Sequence, residues 1–328
     1  MEFKFPPKEA LAVVPTPIHE LPRLSEALNG PRIFVKRDDL TGCELTGNKV
    51  RKAEYLLAEA RSKKAQVVLT CGGVQSNHAR TIAIAAARLG MKTHLFLRND
   101  GLSSLDGNLF LDHMVDAEIQ YLTHEEYEKV DELMLEQKKR YEEKGTRAYV
   151  IPEGGSNELG AVAYMEAMAE LKHQMQEQNL SLDVLICAVG SGGTYTGLLL
   201  GQHLFDVNIQ IWGLNICETA EYFNKVVRKL LKKCRRRFGL PKEVEELDIH
   251  IIDGCVGKGY GLNRKEEIEH IKEVARLEGL ILDPVYTGKA MYCVKDLILQ
   301  GRLHKGQNLL FLHTGGIFGL FPKRNLFF

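Results

Sequence analysis

Short apolar runs that break abruptly into glycine recur along the chain: VVLTCGG from Val67, LDVLICAVGSGG from Leu182 and NLLFLHTGG from Asn308. Continuous Val/Ile/Leu runs of this length are the pattern of strands covered on both faces, as in parallel sheets. Between them, apolar residues recur at helical spacing over 49–64 and 80–89. The second of these is alanine-rich (TIAIAAARLG) and closes on Gly90 as a cap. Strand, glycine turn and helix in alternation predict an α/β protein with parallel-rich open sheets and helices on both faces. The run KVVRKLLKKCRRR from Lys225 sets Val226, Val227, Leu230 and Leu231 at helical spacing, which predicts an amphipathic helix with a solvated basic face rather than an anion-binding patch.

A chain of 328 residues can bury a large core in one or two domains, and no repeat, low-complexity tract or Gly/Ser linker marks a boundary. Lys plus Arg (43) balance Asp plus Glu (43). A nucleic-acid partner is therefore not expected, and a small-molecule substrate is. Cys43, Cys71, Cys187, Cys217, Cys234, Cys255 and Cys293 are scattered without a Cys-x-x-Cys pair, so neither a metal nor a redox site is expected and a reducing, cytoplasmic setting is. The first residues lack the basic start and apolar core of a secretory signal, and no stretch of about 18 apolar residues predicts a membrane span.

Three segments carry candidate chemistry. In CAVGSGGTYTG, Gly190, Gly192 and Gly193 free the backbone to converge at a helix start, where Ser191, Thr194 and Thr196 add hydroxyls; a phosphate fits there, as does an ordinary glycine turn. Tyr195 stands where a Gly-x-Gly-x-x-Gly motif needs glycine, which disfavours a nucleotide. In GGVQSNHAR, Gln75, Ser76 and Asn77 can hold a carboxylate or simply cap a helix, and His78 reads as a structural hydrogen-bonder. Lys49 follows a Gly-Asn turn at a helix start among other cations, which lowers an amine pKa; taken alone it is also one surface lysine among many.

Together, KRDDLTGCELTGNKVRKAEYLLAEA, GGVQSNHAR, VGSGGTYTGLL, GKGYG, LDPVYTGKAMY and FLHTGG resemble, in order and from about residue 10 to 320, the D-cysteine desulfhydrase and 1-aminocyclopropane-1-carboxylate deaminase family. That family belongs to the tryptophan-synthase-β-like, fold-type II pyridoxal-phosphate enzymes. The resemblance implies a Schiff base to pyridoxal 5'-phosphate on Lys49 with Asn48 beside the cofactor, and a phosphate site at Gly190, Ser191, Gly192, Gly193 and Thr194. It places Thr287, Thr314 and Gly315 by the ring, and a substrate carboxylate on Gln75, Ser76 and Asn77. Ser76 becomes a proton-transfer partner, and Tyr260 and Tyr286 lie near the reacting carbon. It further implies a large domain of residues 1–46 plus 158–328, a small inserted domain of residues 47–157, and a homodimer.

Within the family, a glutamate typically follows the second tyrosine in the cyclopropane deaminases; Thr287 stands there and Thr314 adds a second hydroxyl, which resembles the desulfhydrase branch. The expected reaction is α,β-elimination from D-cysteine. Cyclopropane deamination, L-cysteate sulfo-lysis and a non-catalytic cofactor-binding protein are the alternatives. After HTGG the chain reads IFGLF, where many desulfhydrases have a smaller residue and proline, implying a pocket of different size.

Overall fold

The structure is a computed structural model and describes residues 3–99, 101 and 105–328. Among these the chain forms ten strands: β1 (Ile18–Glu20), β2 (Arg32–Lys36), β3 (Val67–Gly73), β4 (Lys92–Arg98), β5 (Glu118–Leu122), β6 (Ala148–Val150), β7 (Val184–Val189), β8 (Gln210–Asn215), β9 (His250–Ile252) and β10 (Asn308–Leu312). They make a six-stranded sheet, β1-β2-β10-β7-β8-β9, and a four-stranded sheet, β5-β4-β3-β6. Every pairing is parallel except β1 with β2 at an edge. The three glycine-ended runs are β3, β7 and β10, each interior to its sheet, and this is why they are apolar throughout. The four-stranded sheet is inserted in sequence between β2 and β7 of the larger one, so no linker is needed.

The predicted helices are Asn48–Ser62 and Asn77–Arg88. Asn48–Ser62 packs between Asn77–Arg88 and the Glu158–Glu177 helix, and its Val50, Ala53, Leu56 and Leu57 join a core that includes Val68 of β3 and Leu185 of β7. Arg51 on its inner face bonds Asp38 at 3.0 Å and Glu170 at 2.8 Å, while Tyr164 donates to Asp38 at 2.6 Å. Burial pushes the Asp38 carboxyl up, but Arg51 beside it prevails and holds it below the usual carboxylate range. The helix start is thus fixed by a buried ionic lattice as well as by apolar packing. In the Ala220–Phe238 helix Phe223, Val227, Leu230, Leu231 and Cys234 are buried; outward, Arg228 caps the Leu247 carbonyl at 3.0 Å and Arg237 pairs with Glu59 at 2.8 Å. No helix among the described residues is long and apolar enough to cross a membrane.

Cys255 and Cys293 form a disulfide, with Cα atoms 5.4 Å apart, a pairing that the reducing setting expected from the cysteine spacing does not call for. The 38 residues between them hide the pairing, because only the fold lays the segment after β9 against the Thr287–Leu299 helix. The other five cysteines are free.

Candidate active site

A cleft of about 810 Å³ is lined by the segments that leave the carboxyl ends of β3, β6, β7, β8 and β10, together with the start of the Asn48–Ser62 helix. This is the end of a parallel sheet at which α/β proteins bind ligands, because connecting loops and helix N-termini converge there.

At β7 the chain turns through Gly190 to Thr194 into the Gly193–Leu204 helix. Gly192 is left-handed (φ 80°). A Cβ on Gly193 would lie 2.6 Å from Ser156 Oγ and 3.0 Å from Lys52 Nζ, so only glycine lets the loop close on what lies behind it. Ser156 and Ser191 share a hydrogen bond of 2.8 Å. Lys52 is fully buried, and among the described residues its amine donates to the Gly154 carbonyl at 3.1 Å and weakly to Ser156 at 3.5 Å. Burial, then the nearby Lys49 charge, drive its amine well below the usual lysine range. Free amides, hydroxyls and an under-satisfied buried amine around one loop form a cradle for a doubly charged anion, whose charge would favour the amine's protonated form.

Lys49 lines the same cleft and is half-buried. Its placement follows from Gly47 (φ 95°), whose missing Cβ lets the backbone press on the Thr314 carbonyl; Asn48 N–H donates to that carbonyl at 3.1 Å. The Asn48 side chain donates to Thr194 Oγ1 at 3.1 Å, tying this helix start to the cradle. Lys49 makes no hydrogen bond among the described residues. Burial lowers its pKa to about 8, with Glu153 across the cleft pulling the other way. Thr314 and Gly315 line the cleft beside it.

The loop after β3 places its three candidates differently. Ser76 lines the cleft and caps the Asn77–Arg88 helix, accepting from Ala79 N–H at 3.1 Å; the amides of Asn77 and His78 are left as the free donors of that helix start. Asn77 also lines the cleft, its side chain braced by Asn108 at 2.9 Å. Gln75 does not reach it: it donates to the Asp106 carbonyl and accepts from Asn108 N–H, both at 3.0 Å, because that brace lies on the far side of the turn. His78 bonds Thr70 at 2.8 Å; burial and then Lys49 keep it neutral, a structural role as expected.

Tyr260 and Tyr286 meet hydroxyl to hydroxyl at 2.5 Å. The Tyr286 ring lies where a Cβ on Gly190 would be, 3.0 Å from Cε1. Tyr260 is 46 % exposed because the cleft is open, yet protein surrounds it deeply enough to push its pKa up to about 12, and burial pushes Tyr286 up as well. Thr287 is not in the cleft. Its hydroxyl donates to Asp283 Oδ1 at 2.7 Å and accepts from Asp283 N–H at 2.8 Å, and the Asp283 carboxylate also accepts the Val285, Tyr286 and Thr287 N–H groups where the Thr287–Leu299 helix starts. Sequence pattern alone also passes over Lys52, Glu153 and Ser156. Yet Lys52 follows Lys49 at i+3 on one helix face, and YVIPEGGS from Tyr149 repeats the strand, glycine and hydroxyl order of the other two loops. Among the described residues, no group of three or more His, Cys, Asp or Glu is placed to hold a metal ion.

This donor set fits pyridoxal phosphate: a lysine of lowered pKa and a glycine–hydroxyl cradle backed by the buried Lys52 line one cleft. Comparison with known proteins agrees. A D-cysteine desulfhydrase of Salmonella newport is 36 % identical over 320 residues, covering 96 % of this chain and 95 % of its own. A bifunctional D-cysteine desulfhydrase/1-aminocyclopropane-1-carboxylate deaminase of Arabidopsis thaliana, mitochondrial, is 41 % identical over 326 residues, covering 96 % of this chain and 79 % of its own. The crystal structure of an ACC deaminase homologue superposes with a TM-score of 0.87 at 36 % identity, covering 98 % of this chain and 96 % of its own. Matched over residues 10–315, the chain belongs to the family of pyridoxal-phosphate dependent enzymes.

Proposed function

We propose that the protein is a carbon–sulfur lyase that takes D-cysteine and water to pyruvate, hydrogen sulfide and ammonia by α,β-elimination. The observation that carries the choice of branch is the corner beside Lys49. The side chain lining the cleft there is the neutral Thr314, and Thr287, at the position of the deaminases' glutamate, is turned under Asp283. Bound pyridoxal phosphate supplies an electron sink for the carbanion formed at Cα, and a neutral hydroxyl partner leaves that sink weaker than a carboxylate would. A weak sink suffices to expel a thiolate. Opening a cyclopropane ring, with no good leaving group, asks for more.

The chain's own groups divide the remaining work. The Asn77 and His78 amides and Ser76 receive the substrate carboxylate at the positive end of their helix. Lys49 Nζ takes the α proton, and its pKa of about 8 lies close to that of a thiol, so returning the proton to the departing sulfur is nearly balanced. The Tyr260–Tyr286 pair offers hydroxyl hydrogen to the leaving group. The same proposal includes the units 1–46 with 158–328 and 47–157, closure of the smaller one over substrate, a homodimer and a cytoplasmic location.

Purified protein should be yellow and should release equal amounts of sulfide and pyruvate from D-cysteine. Conversion of 1-aminocyclopropane-1-carboxylate to 2-oxobutanoate with D-cysteine inert would reassign the branch to deaminase, and sulfite from L-cysteate alone would reassign the leaving group. The lowered Lys49 pKa gives a second expectation. Only neutral amine captures an aldehyde, so the rate at which the cofactor-free protein takes up pyridoxal phosphate should rise ~tenfold between pH 7 and pH 9 and then level. An ordinary lysine would keep rising toward its pKa. Because Glu153 raises the Lys49 value, Glu153→Gln should move the midpoint to lower pH, and stopped-flow absorbance reads both.

A further inference from the structure

Tyr260 stands on a segment that has no regular structure of its own. Between β9 and the Lys265–Glu278 helix, Gly254, Gly257, Gly259 and Gly261 all take positive φ (99°, 65°, 132° and 68°). Such backbone is entropically costly to hold and cannot by itself fix a hydroxyl 2.5 Å from its partner. Lys323 bonds the Gly261 carbonyl on one side of Tyr260, and on the other, from the helix that carries Tyr286, the segment is held by Lys289. This side chain is 1 % exposed, and its ammonium donates to the carbonyls of Val256 at 2.5 Å and Gly259 at 3.0 Å, with Glu267 at 3.7 Å as counter-charge. Gly257 is glycine because a Cβ there would lie 2.4 Å from Glu267 Oε1 and 3.3 Å from Lys289 Nζ. A buried cation is expensive to maintain unless its hydrogen bonds are needed. Lys289 lies one turn into the helix that Tyr286 begins, and Cys293, a turn further on, is bonded to Cys255 at the root of the same segment. One helix therefore carries Tyr286 and fastens Tyr260.

We infer that Lys289 is a positioning residue whose bonds to Val256 and Gly259 set the Tyr260 hydroxyl on Tyr286 for handling the departing group. The inference rests on the reading of these tyrosines given above. A misplacement on the scale of an ångström lowers turnover by about 10²-fold, so Lys289→Met in the cofactor-loaded enzyme should lose between about tenfold and hundredfold in kcat. KM and cofactor affinity should stay near wild type, and Lys289→Arg should restore part of the loss. Amide hydrogen exchange over residues 253–262 should speed up in Lys289→Met with the rest of the protein unchanged. The deciding measurement is a double-mutant cycle with Tyr260→Phe: a residue acting through Tyr260 costs little more once that hydroxyl is gone, whereas a general structural lysine costs the same in both backgrounds. Equal costs, or unchanged exchange, would overturn the inference. If Lys289→Met fails to fold, Lys289→Arg and Lys289→Gln run through the same cycle. Should Tyr260→Phe alone leave turnover intact, the assignment of the tyrosines fails and takes this role of Lys289 in the reaction with it, while the exchange data still report whether Lys289 holds the segment.

Discussion

Lys49→Ala is expected to abolish turnover of D-cysteine, with a loss of roughly 10²–10⁴-fold from the missing base alone and more from the missing covalent hold on the cofactor. The variant should purify without yellow colour while keeping its circular dichroism and the melting temperature of the cofactor-free wild type, since the Lys49 side chain makes no hydrogen bond to other described residues and its helix is anchored elsewhere. Lys49→Arg separates charge from chemistry: guanidinium preserves the cation but stays protonated at any working pH, so it should be as inactive as alanine. The reason Lys49 and not a neighbour is suited to the task lies in its surroundings. Burial brings its pKa to about 8, so near neutral pH a usable fraction is unprotonated, and it opens onto the cleft. Lys52, three residues on, has its amine lowered further by burial but donates to the Gly154 carbonyl behind the cradle.

Arg51→Ala carries the largest expected effect on stability. It takes a guanidinium from both Asp38 and Glu170; Glu170 keeps Lys36 at 2.5 Å, but Asp38, fully buried, is left without an ion-pair partner. Breaking a buried ion pair from one side costs about 3–5 kcal/mol. Arg61→Ala, which takes away an exposed pair with Glu9, should cost under ~1 kcal/mol. Chemical denaturation of the two variants side by side measures the contrast, and equal shifts would show that the lattice under Lys49 does not anchor its helix. At denaturant concentrations where Arg51→Ala is still folded, cofactor capture should already be slowed, because Arg51 and Lys49 share the first turns of one helix.

The parts that were legible in the sequence are those written in local grammar. Strands β3, β7 and β10 announce themselves because burial on both faces permits nothing but apolar residues, and each hands its glycine loop to the cleft. Lys49, Ser76, the 190–194 loop and the two tyrosines could be named because each stands in a short ordered motif. What sequence could not give depends on contacts between distant segments. Gln75 looks like a carboxylate ligand, yet Asn108, far along the chain, claims its side chain. Thr287 looks like a ring partner until Asp283 is seen to use both its donor and its acceptor capacity. Lys52 is hidden among surface-like lysines, since a lysine's burial is a property of the fold around it. Lys289 and the Cys255–Cys293 bond are invisible for the same reason, as both join a glycine-rich segment to a helix that begins some thirty residues later.

The central claim is that Lys49 carries the cofactor and the cradle backed by Lys52 receives its phosphate. Reduction of the yellow protein with borohydride fixes the cofactor permanently to its lysine, and peptide mass mapping then locates it. The expected result is one pyridoxyl-phosphate group per chain, on Lys49 in the peptide containing Gly47 and Asn48. Its recovery on Lys52, or on any other lysine with Lys49 unmodified, would contradict the account.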